Sequence, residues 1–294
     1  MSLRVAETLT KVREALASRY LFDNWLSLLI RYALIKIGFN VKLTAKVNGC
    51  TFESSPEVFG CLTIRASRKL VKLSCINGKL YINGGSYGEY HGAWVYDGSC
   101  NCYVRNNVRF KRMPWTIYEI FDCGEYEPLN VKDRVVVDVG AYVGDSAIYF
   151  ALKGAMKVVA VEPHPANFAE MLENIKLNNL GGVIVPINAG LASKPDEIYI
   201  ENVGAVPVVT LSELISRLGF DPSNAVLKID CEGCEFDVIL NDYEHVRLFK
   251  ELILEYHPRF VNKSLDDLLN VLDRDFKCDI RGDRDLGIMY CVRK

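Results

Sequence analysis

The sequence predicts an α/β fold built around a buried, mostly parallel sheet. Residues 135–139 are apolar apart from one carboxylate, which is typical of a strand covered on both faces. A glycine-containing turn at 140–144 separates this strand from a helical periodicity at 145–152, and a second apolar strand follows at 157–162. Strand, turn, helix and second strand in this order form the unit from which parallel sheets are built.

The same alternation continues to the C-terminus. Further strands are predicted at 183–187, 225–230 and 251–256, and further helices at 165–178, at 210–219, from about 235 and from 264. Thr210 and Glu213 form a capping box at one of these helix starts, and Ser264 caps another. The last two strands, near 275–280 and 287–292, are joined only by a short turn at 282–285, so they must be antiparallel neighbours.

The first 112 residues have a different character and lie outside this alternation. Asn-Gly or Asp-Gly pairs occur at 48–49, 77–78, 83–84 and 97–98, and these residues tolerate the positive φ that a two-residue hairpin turn requires. We therefore predict three segments: N-terminal helices at 1–39, a small antiparallel β region at 40–112, and the α/β domain at 113–294.

The N-terminal segment is apolar enough to raise the question of a membrane. Leu21, Trp25, Leu28 and Tyr32 follow helical spacing, but charged residues interrupt the apolar stretch at 20–39 and disfavour a spanning helix. We expect this face to pack on protein, either within the chain or in a homodimer. A helix lying in a membrane interface is the alternative.

Composition excludes some classes of partner. The formal net charge is −2, with 24% charged residues, so nothing in the overall charge indicates nucleic-acid binding. The N-terminus lacks the basic-then-apolar order of a signal peptide, which predicts a cytoplasmic protein. The ten cysteines are scattered among apolar residues, and we interpret them as buried thiols that serve as small hydrophobic side chains.

The glycine turn and the end of the next strand predict a cofactor that contains adenosine. Gly140 allows a ligand to approach the backbone, and Glu162, 22 residues later, can accept hydrogen bonds from ribose hydroxyls. Tyr142 occupies the position where dinucleotide-binding loops have their middle glycine. Asp138 and Asp145 would repel a pyrophosphate and attract a cationic sulfonium, which favours S-adenosylmethionine over NAD.

With these features in place, the sequence resembles the FkbM family of S-adenosylmethionine-dependent methyltransferases over roughly 115–260. The resemblance rests on Glu119-Ile-Phe121, Tyr126, Val137-Asp138-Val-Gly140-Ala141-Tyr-Val-Gly144-Asp145, Glu162-Pro163, Asn174-Ile175 and Lys228-Ile229-Asp230-Cys-Glu232-Gly233-Cys-Glu235. It implies a class I methyltransferase fold, which is Rossmann-like with seven strands, mostly parallel, and an antiparallel last strand.

The resemblance also implies which residues bind the cofactor. Gly140, Ala141 and Gly144 would line its methionine and ribose part, and Asp138 and Asp145 would lie near its charged amino-acid end. The remaining implied contacts are Tyr126, Glu162 with Pro163 at the ribose, Asn188 and Ala189 at the adenine, and Asp230 near the methyl group.

Candidates for proton transfer stand at the ends of two predicted neighbouring strands. Asp230 and Glu232 follow one strand and His257 follows the next, so any of the three could accept a proton from the methyl acceptor. The two carboxylates could instead hold a divalent cation, although we expect no metal. Cys231 and Cys234 have the spacing of a zinc knuckle or a disulfide, and we interpret them as filler around the acids.

The predicted function is O-methylation of a hydroxyl on a sugar, glycolipid or other small metabolite. Oxygen as the acceptor atom is implied by the family, and the Asp-Cys-Glu-Gly sequence after the fourth strand lacks the Pro-Pro-aromatic motif of amino-directed enzymes. Two alternatives stay open: a nucleotide- or NAD-dependent enzyme of sugar metabolism, and a non-catalytic protein that binds the cofactor or docks on a membrane.

Overall fold

A computed structural model describes residues 11–83, 85–86, 94–282 and 284–294, and it divides the chain into two units. Unit 1 comprises 1–94 and 114–128, and unit 2 comprises 95–113 and 129–294. The first ten residues of the predicted N-terminal helices, Gly84 of one predicted hairpin turn and Asp283 of the last turn lie outside the described residues. The three-segment division stays a prediction.

The described helices begin near the N-terminus, where residues 11–17 are helical and a 3₁₀ turn follows at Ser18–Tyr20. The others are α1 (Trp25–Lys36), α2 (Pro56–Ser67), α3 (Trp115–Phe121), α4 (Asp145–Leu152), α5 (Pro165–Leu177), α6 (Leu211–Leu218), a 3₁₀ turn (Pro222–Asn224), α7 (Cys234–Asn241), α8 (Tyr243–Val246), α9 (Pro258–Val261) and α10 (Leu265–Leu272). Among the described helices, none has the length and apolar character needed to cross a membrane.

The strands fall into one large sheet and several small ones. They are β1 (Leu43–Val47), β2 (Cys50–Ser54), β3 (Leu73–Ile76), β4 (Lys79–Ile82), β5 (Gly85–Ser86), β6 (Val95–Asp97), β7 (Cys102–Arg105), β8 (Val108–Phe110), β9 (Val135–Val139), β10 (Lys157–Val161), β11 (Ile184–Ile187), β12 (Gly190–Leu191), β13 (Glu197–Ile200), β14 (Gly204–Val209), β15 (Val226–Ile229), β16 (Glu251–Tyr256), β17 (Phe276–Gly282) and β18 (Gly287–Arg293).

Unit 2 contains the predicted seven-stranded sheet. Its strand order is β11-β10-β9-β15-β16-β18-β17, and the first five strands are parallel. Strand β18 runs antiparallel to both β16 and β17, as the short final turn requires. The predicted fold is therefore confirmed, including the antiparallel last strand.

The central position of the strand at 135–139 accounts for its almost continuous apolar sequence. All five residues of β9 are buried, and the strand lies at the centre of the sheet between β10 and β15. Burial of a valine or leucine side chain contributes about 1.5–3 kcal/mol, so the run is a large source of stability. The predicted capping box at Thr210 and Glu213 is present at the start of α6, and Ser264 with Asp267 forms another at α10.

Unit 1 combines the β1–β2 hairpin, α1, α2 and the β3-β4-β5 sheet around its own core. Helix α2 was not predicted. Its interior includes Gly60 and Thr63, which are poor helix formers, so burial rather than propensity holds it. Its start nevertheless follows a recognisable rule: Ser55 caps the helix by accepting a hydrogen bond from Val58, and Pro56 occupies the first turn.

The β6-β7-β8 sheet belongs to unit 2, where two asparagines tie it to helix α5. The backbone N–H of Arg109 donates to Asn178 at 2.9 Å, and the N–H of Lys111 donates to Asn174 at 2.9 Å. The β-rich region predicted at 40–112 thus contributes strands to both units.

The prediction that the cysteines are free thiols is wrong, because the structure pairs all ten. The disulfides are Cys50–Cys75, Cys61–Cys123, Cys100–Cys102, Cys231–Cys234 and Cys278–Cys291. Cys50–Cys75 and Cys61–Cys123 join residues that are 25 and 62 positions apart, and spacing alone does not reveal such partners. Proteins with several disulfides occur mainly in oxidising compartments, so this pairing does not favour the cytoplasmic location, which stays a prediction.

Candidate active site

The loop at 140–144 connects β9 to α4 and requires glycine at both ends. Gly140 has φ +73°, and a Cβ there would lie 1.7 Å from the carbonyl oxygen of Asp230, so the backbones of two strand ends touch. Gly144 has φ +83°, and a Cβ there would lie 2.9 Å from the Met171 side chain. The loop is therefore held at the carboxyl edge of the sheet, where ligands bind in folds of this kind.

Asp138, which the sequence places near the charged end of the cofactor, is a buried residue, and its role towards the cofactor stays a prediction. Its carboxylate is fully buried beneath the loop, 3.0 Å from the Lys228 ammonium, and it accepts a hydrogen bond of 2.7 Å from the Ser146 hydroxyl. Lys228 also donates to the carbonyl oxygens of Val139 and Gly140 at 3.0 and 2.8 Å. The ion pair fixes the loop backbone, and its charges largely cancel.

Asp145, the first residue of α4, is also buried. One of its carboxylate oxygens accepts a hydrogen bond of 2.9 Å from the backbone N–H of Ser146. Ala141 is buried within the loop. Tyr126, which the family resemblance assigns to the cofactor, is a buried residue of unit 1, and its role stays a prediction.

Glu162 stands at the end of β10 with its carboxylate turned towards the loop. One oxygen accepts a hydrogen bond of 2.9 Å from the backbone N–H of Tyr142, and the other accepts one of 2.9 Å from His164. Burial raises the pKa of Glu162, while the hydrogen bonds from His164, Asn167 and Tyr142 oppose that shift. The carboxylate is thus held rigidly beside the glycine loop, where a ribose would need acceptors.

The segment after β11 lies beside Glu162 and Pro163 at the end of β10. The Asn188 amide donates to the carbonyl oxygens of Glu162 and Pro163 at 2.8 and 3.1 Å, which holds the two strand ends together. Ala189 is buried directly after it. The structure therefore brings together the predicted ribose and adenine residues.

The predicted proton acceptors cluster at the ends of β15 and β16. Asp230 follows β15, and Glu232 stands two residues later in a left-handed conformation with φ +59° and a side chain that is 69% exposed. His257 follows β16 and is buried, and its Nε2 atom lies 3.8 Å from the Glu232 carboxylate. The three predicted catalytic residues thus lie together at the ends of β15 and β16, the two strands that follow β9 in the order of the sheet.

Glu235 holds this cluster from beneath. It is completely buried at the start of α7, and its two oxygens accept hydrogen bonds of 2.8 Å from the backbone N–H groups of His257 and Gly233. The Nδ1 atom of His257 lies 3.4 Å from the same carboxylate. Cys231 and Cys234, which flank this turn, form a disulfide and therefore do not offer thiolates to zinc.

The charges of the cluster shift two pKa values. Burial lowers the pKa of His257, but the carboxylates of Glu235, Asp230 and Glu232 together outweigh that effect, and the net pKa is raised. Burial raises the pKa of Asp230, with Lys228 and His257 opposing the shift. A shifted histidine beside carboxylates at a strand end is the kind of group that transfers protons in enzymes.

A second arrangement of oxygen and nitrogen atoms at this edge could hold a cation. Asp230, Glu255 and His257 each offer one ligand atom, and these atoms lie within 4.8 Å of one another. Two carboxylates and an imidazole suit a divalent ion such as Mn²⁺. The expectation that no metal takes part stays a prediction.

Comparison with known proteins agrees with this geometry. Residues 138–279 match the family model of the methyltransferase FkbM domain. The chain carries an FkbM methyltransferase domain. The match begins at the buried aspartate of β9 and includes the carboxylate–histidine cluster, so the glycine loop and that cluster both lie within the FkbM domain.

Individual proteins that resemble this chain share less than 30% sequence identity with it in the three comparisons that follow. Hexuronic acid methyltransferase AglP of Haloferax volcanii is 28% identical over 154 residues, which are 47% of this chain and 62% of that protein. Uncharacterized protein 158B of Sulfolobus islandicus rod-shaped virus 1 is 27% identical over 147 residues, covering 50% of this chain and 74% of that protein. The crystal structure of methyltransferase FkbM from Methylobacillus flagellatus is 18% identical with a TM-score of 0.46, covering 57% of this chain and 46% of that one. The match with AglP thus spans less than two thirds of that relative.

Sequence reasoning missed three residues that organise the site: Lys228, Glu235 and Glu255. Lys228 could have been found, because a lysine inside an otherwise apolar strand needs a partner, and the parallel register places it opposite Asp138. Glu235 lies in the first turn of α7, where acidic residues are common, and only the tertiary structure brings it under His257. Glu255 carried a signal similar to that of Lys228, because it is an acidic residue in a largely apolar strand and precedes His257 by two residues.

Proposed function

We propose that the FkbM domain transfers a methyl group from S-adenosylmethionine to a hydroxyl group of a sugar or glycolipid. The single observation that carries the proposal is the position of His257. It lies between Glu232 and Glu235, near Asp230, directly after β16. Only β15 separates β16 from β9, the strand that leads into the glycine loop. A cofactor held by that loop would present its reactive end to this cluster.

The residues present fit such a cofactor. Glu162 is buried, and its carboxylate is hydrogen-bonded to the backbone of the loop, so little reorganisation is needed for it to accept the hydroxyls of a ribose. The glycine loop lets a ligand approach the backbone closely, and Asn188 fixes the border where the adenine would lie. S-adenosylmethionine, when bound, supplies an electrophilic methyl group.

The chain's own residues would then manage the proton of the acceptor hydroxyl. We assign proton acceptance to the Nε2 atom of neutral His257, because Nδ1 faces the buried carboxylate of Glu235. Glu235 orients the ring through its contacts with the backbone N–H and with Nδ1. Asp230 and Glu232 favour the protonated imidazole by their negative charge, which makes proton transfer easier as the methyl group is transferred.

The sugar acceptor is supported by one relative. AglP is a hexuronic acid methyltransferase, and its similarity to this chain includes 154 residues. A hexuronic acid offers several secondary hydroxyls and a carboxylate, so a hydroxyl-directed base such as His257 suits this class of acceptor. The proposal therefore names a glycan that contains hexuronic acid as the first acceptor to test.

The test is a methyl-transfer assay with isotopically labelled S-adenosylmethionine and hexuronic-acid glycans, followed by NMR of the product. An O-methyl signal is expected. His257→Asn should reduce kcat about 10²–10⁴-fold, the usual contribution of general base catalysis, with cofactor affinity retained. His245→Asn is the matched control, since His245 pairs with Asp242 on another part of unit 2. Full activity of His257→Asn would contradict the assignment, and a methyl ester as product would contradict the hydroxyl acceptor.

A further inference from the structure

Helix α1 in unit 1 has two apolar faces, and only one of them is covered. Leu28 is completely buried on the inner face, where Trp25, Tyr32 and Ile35 also pack against the core. This is the face that the sequence predicted to lie against protein. The helix therefore has its structural partner, and its outer face contributes nothing to that core.

The outer face carries an exposed apolar stripe. Leu26, Ile30 and Ile37 are 57%, 56% and 72% exposed, and their spacing of four and seven residues places them in one row along the helix. Ala33 lies in the same row and is exposed. Phe39 extends the stripe beyond the helix end and is exposed as well. Isolated exposed apolar residues are ordinary, but a continuous row on one helix marks an interaction surface.

Basic residues flank this stripe, and the helix contains no acidic residue. At 100° per residue, Arg31 and Lys36 fall on opposite sides of the row. Arg31 donates to the carbonyl oxygen of Lys42 at 2.9 Å, and the Lys36 ammonium lies 5.2 Å from the centre of the Tyr32 ring, so both are tethered near the helix. Between residues 11 and 46 the sequence has seven basic and two acidic residues, although the whole chain is slightly acidic.

Another basic surface lies close by in the same unit. A cavity of about 730 Å³ is lined by apolar side chains of the 12–21 and 66–73 segments, together with Arg13, Arg19, Lys69 and Lys72, and none of the described residues that line it is acidic. Tyr20 at its rim is largely exposed and is stacked against the Arg19 guanidinium. A cavity that combines apolar walls with cationic groups suits an anionic amphiphile.

We propose that residues 12–39 dock the protein on an anionic phospholipid membrane, with α1 lying in the plane of the interface. The twelve residues of α1 span roughly 18 Å, which is too short for a bilayer core but suits a helix that buries one apolar face among headgroups. The apolar row enters the acyl boundary, and Arg31 and Lys36 contact lipid phosphates on either side.

Charge favours a lipid surface over a second copy of the chain. In a symmetric dimer the same patch meets itself, so the basic flanks of one helix would lie against those of its partner. Anionic headgroups reverse the sign of that interaction. Of the two acidic residues in the 11–46 segment, Asp23 accepts a hydrogen bond of 2.8 Å from the backbone N–H of Asn48.

The test is cosedimentation of the full chain with vesicles of phosphatidylcholine alone and with vesicles that also contain phosphatidylglycerol. Binding to the anionic vesicles alone is expected, and it should weaken at high salt. The double variant Leu26→Ser/Ile30→Ser should weaken binding at least about tenfold, because two anchoring side chains are lost. Arg31→Glu/Lys36→Glu should abolish the preference for anionic vesicles. Tyr199→Ser, at a residue of unit 2 that is 81% exposed, is the matched control and should bind as the wild type does.

Light scattering after size-exclusion chromatography tests the competing possibility, in which a second copy of the chain covers this face. A wild-type dimer that Leu26→Ser/Ile30→Ser converts to a monomer, with no vesicle binding, would assign the face to a second copy and overturn the proposal. Unchanged vesicle binding of both double variants would overturn it as well. All four substituted side chains are exposed, and circular dichroism should give each variant the wild-type melting temperature.

Discussion

Glu235 supports His257 twice: its carboxylate accepts the backbone N–H of His257 at 2.8 Å and lies 3.4 Å from the ring Nδ1. One buried acid thus fixes both the strand end and the direction of the imidazole. Because Nδ1 faces this carboxylate, Nε2 is the atom left to face an acceptor. This relationship connects the start of α7 to the proposed chemistry and leads to the first prediction.

Glu235→Gln should shift the pH dependence of methyl transfer towards lower pH. The pKa of His257 is raised above its ordinary value of 6.5 by the surrounding carboxylates, so the neutral base forms only as pH rises through that higher pKa. Removing one carboxylate lowers the pKa of His257, and the ascending limb of kcat against pH should move to more acidic values. Glu244→Gln is the control, since Glu244 pairs with Arg247 on the surface. Superimposable profiles for Glu235→Gln and wild type would argue against His257 as the base.

Lys228→Met should destabilise the protein, because the buried Asp138 carboxylate would lose its partner. Removing one member of a buried ion pair costs about 3–5 kcal/mol, which urea denaturation would detect. Replacing both residues by apolar side chains of similar size should recover much of that loss. Lys132→Met, at an exposed lysine, should change the free energy of unfolding little. If Lys228→Met were as stable as Lys132→Met, the ion pair would have no role in holding the glycine loop.

The ten cysteines should be oxidised in the protein as purified without reductant. Alkylation under denaturing conditions should add no mass before reduction, and ten alkyl groups after it. Peptide mapping should recover Cys231 linked to Cys234, and Cys278 linked to Cys291. Ten alkyl groups without reduction would restore the prediction of free thiols.

Activity should persist in the presence of a chelator, since the proposed base needs no cation. The measurement is methyl transfer after dialysis against EDTA, with and without added Mg²⁺ or Mn²⁺. Loss of activity that either ion restores would make Asp230, Glu255 and His257 a metal site, because their ligand atoms already lie within 4.8 Å of one another. A cation there would lower the pKa of the acceptor hydroxyl, so that its proton could pass to water, and His257 would be a ligand of the cation in place of the base.

The sequence predicts those parts of the site that depend on neighbouring residues, and it fails for contacts between residues far apart in the chain. The β9 strand, the glycine loop and Glu162 are encoded locally, through apolar runs, φ-permissive glycines and an acid at a strand end. The burial of Asp138 was not predicted, because its partner Lys228 lies 90 residues away and becomes a neighbour only through sheet register.

The same limit explains the remaining differences. The disulfide partners Cys61 and Cys123 are 62 residues apart and are brought together by the tertiary structure of unit 1. The contact between Glu235 and His257 likewise requires that α7 packs beside β16. Helix α2 was missed for a different reason. Gly60 and Thr63 have low helix propensity, so the sequence does not indicate a helix there, but burial of its side chains outweighs that propensity.

Calorimetry with S-adenosylhomocysteine tests whether the glycine loop and Glu162 bind an adenosine-containing methyl donor. Wild-type protein should bind this ligand and not NAD, and Glu162→Ala should weaken binding by about 1.5–3 kcal/mol, the cost of losing hydrogen bonds to a charged group. Glu173→Ala, at an exposed glutamate on α5, is the control and should bind normally. Equal affinity of wild type and Glu162→Ala would contradict the ribose assignment, and binding of NAD in place of S-adenosylhomocysteine would contradict the account as a whole.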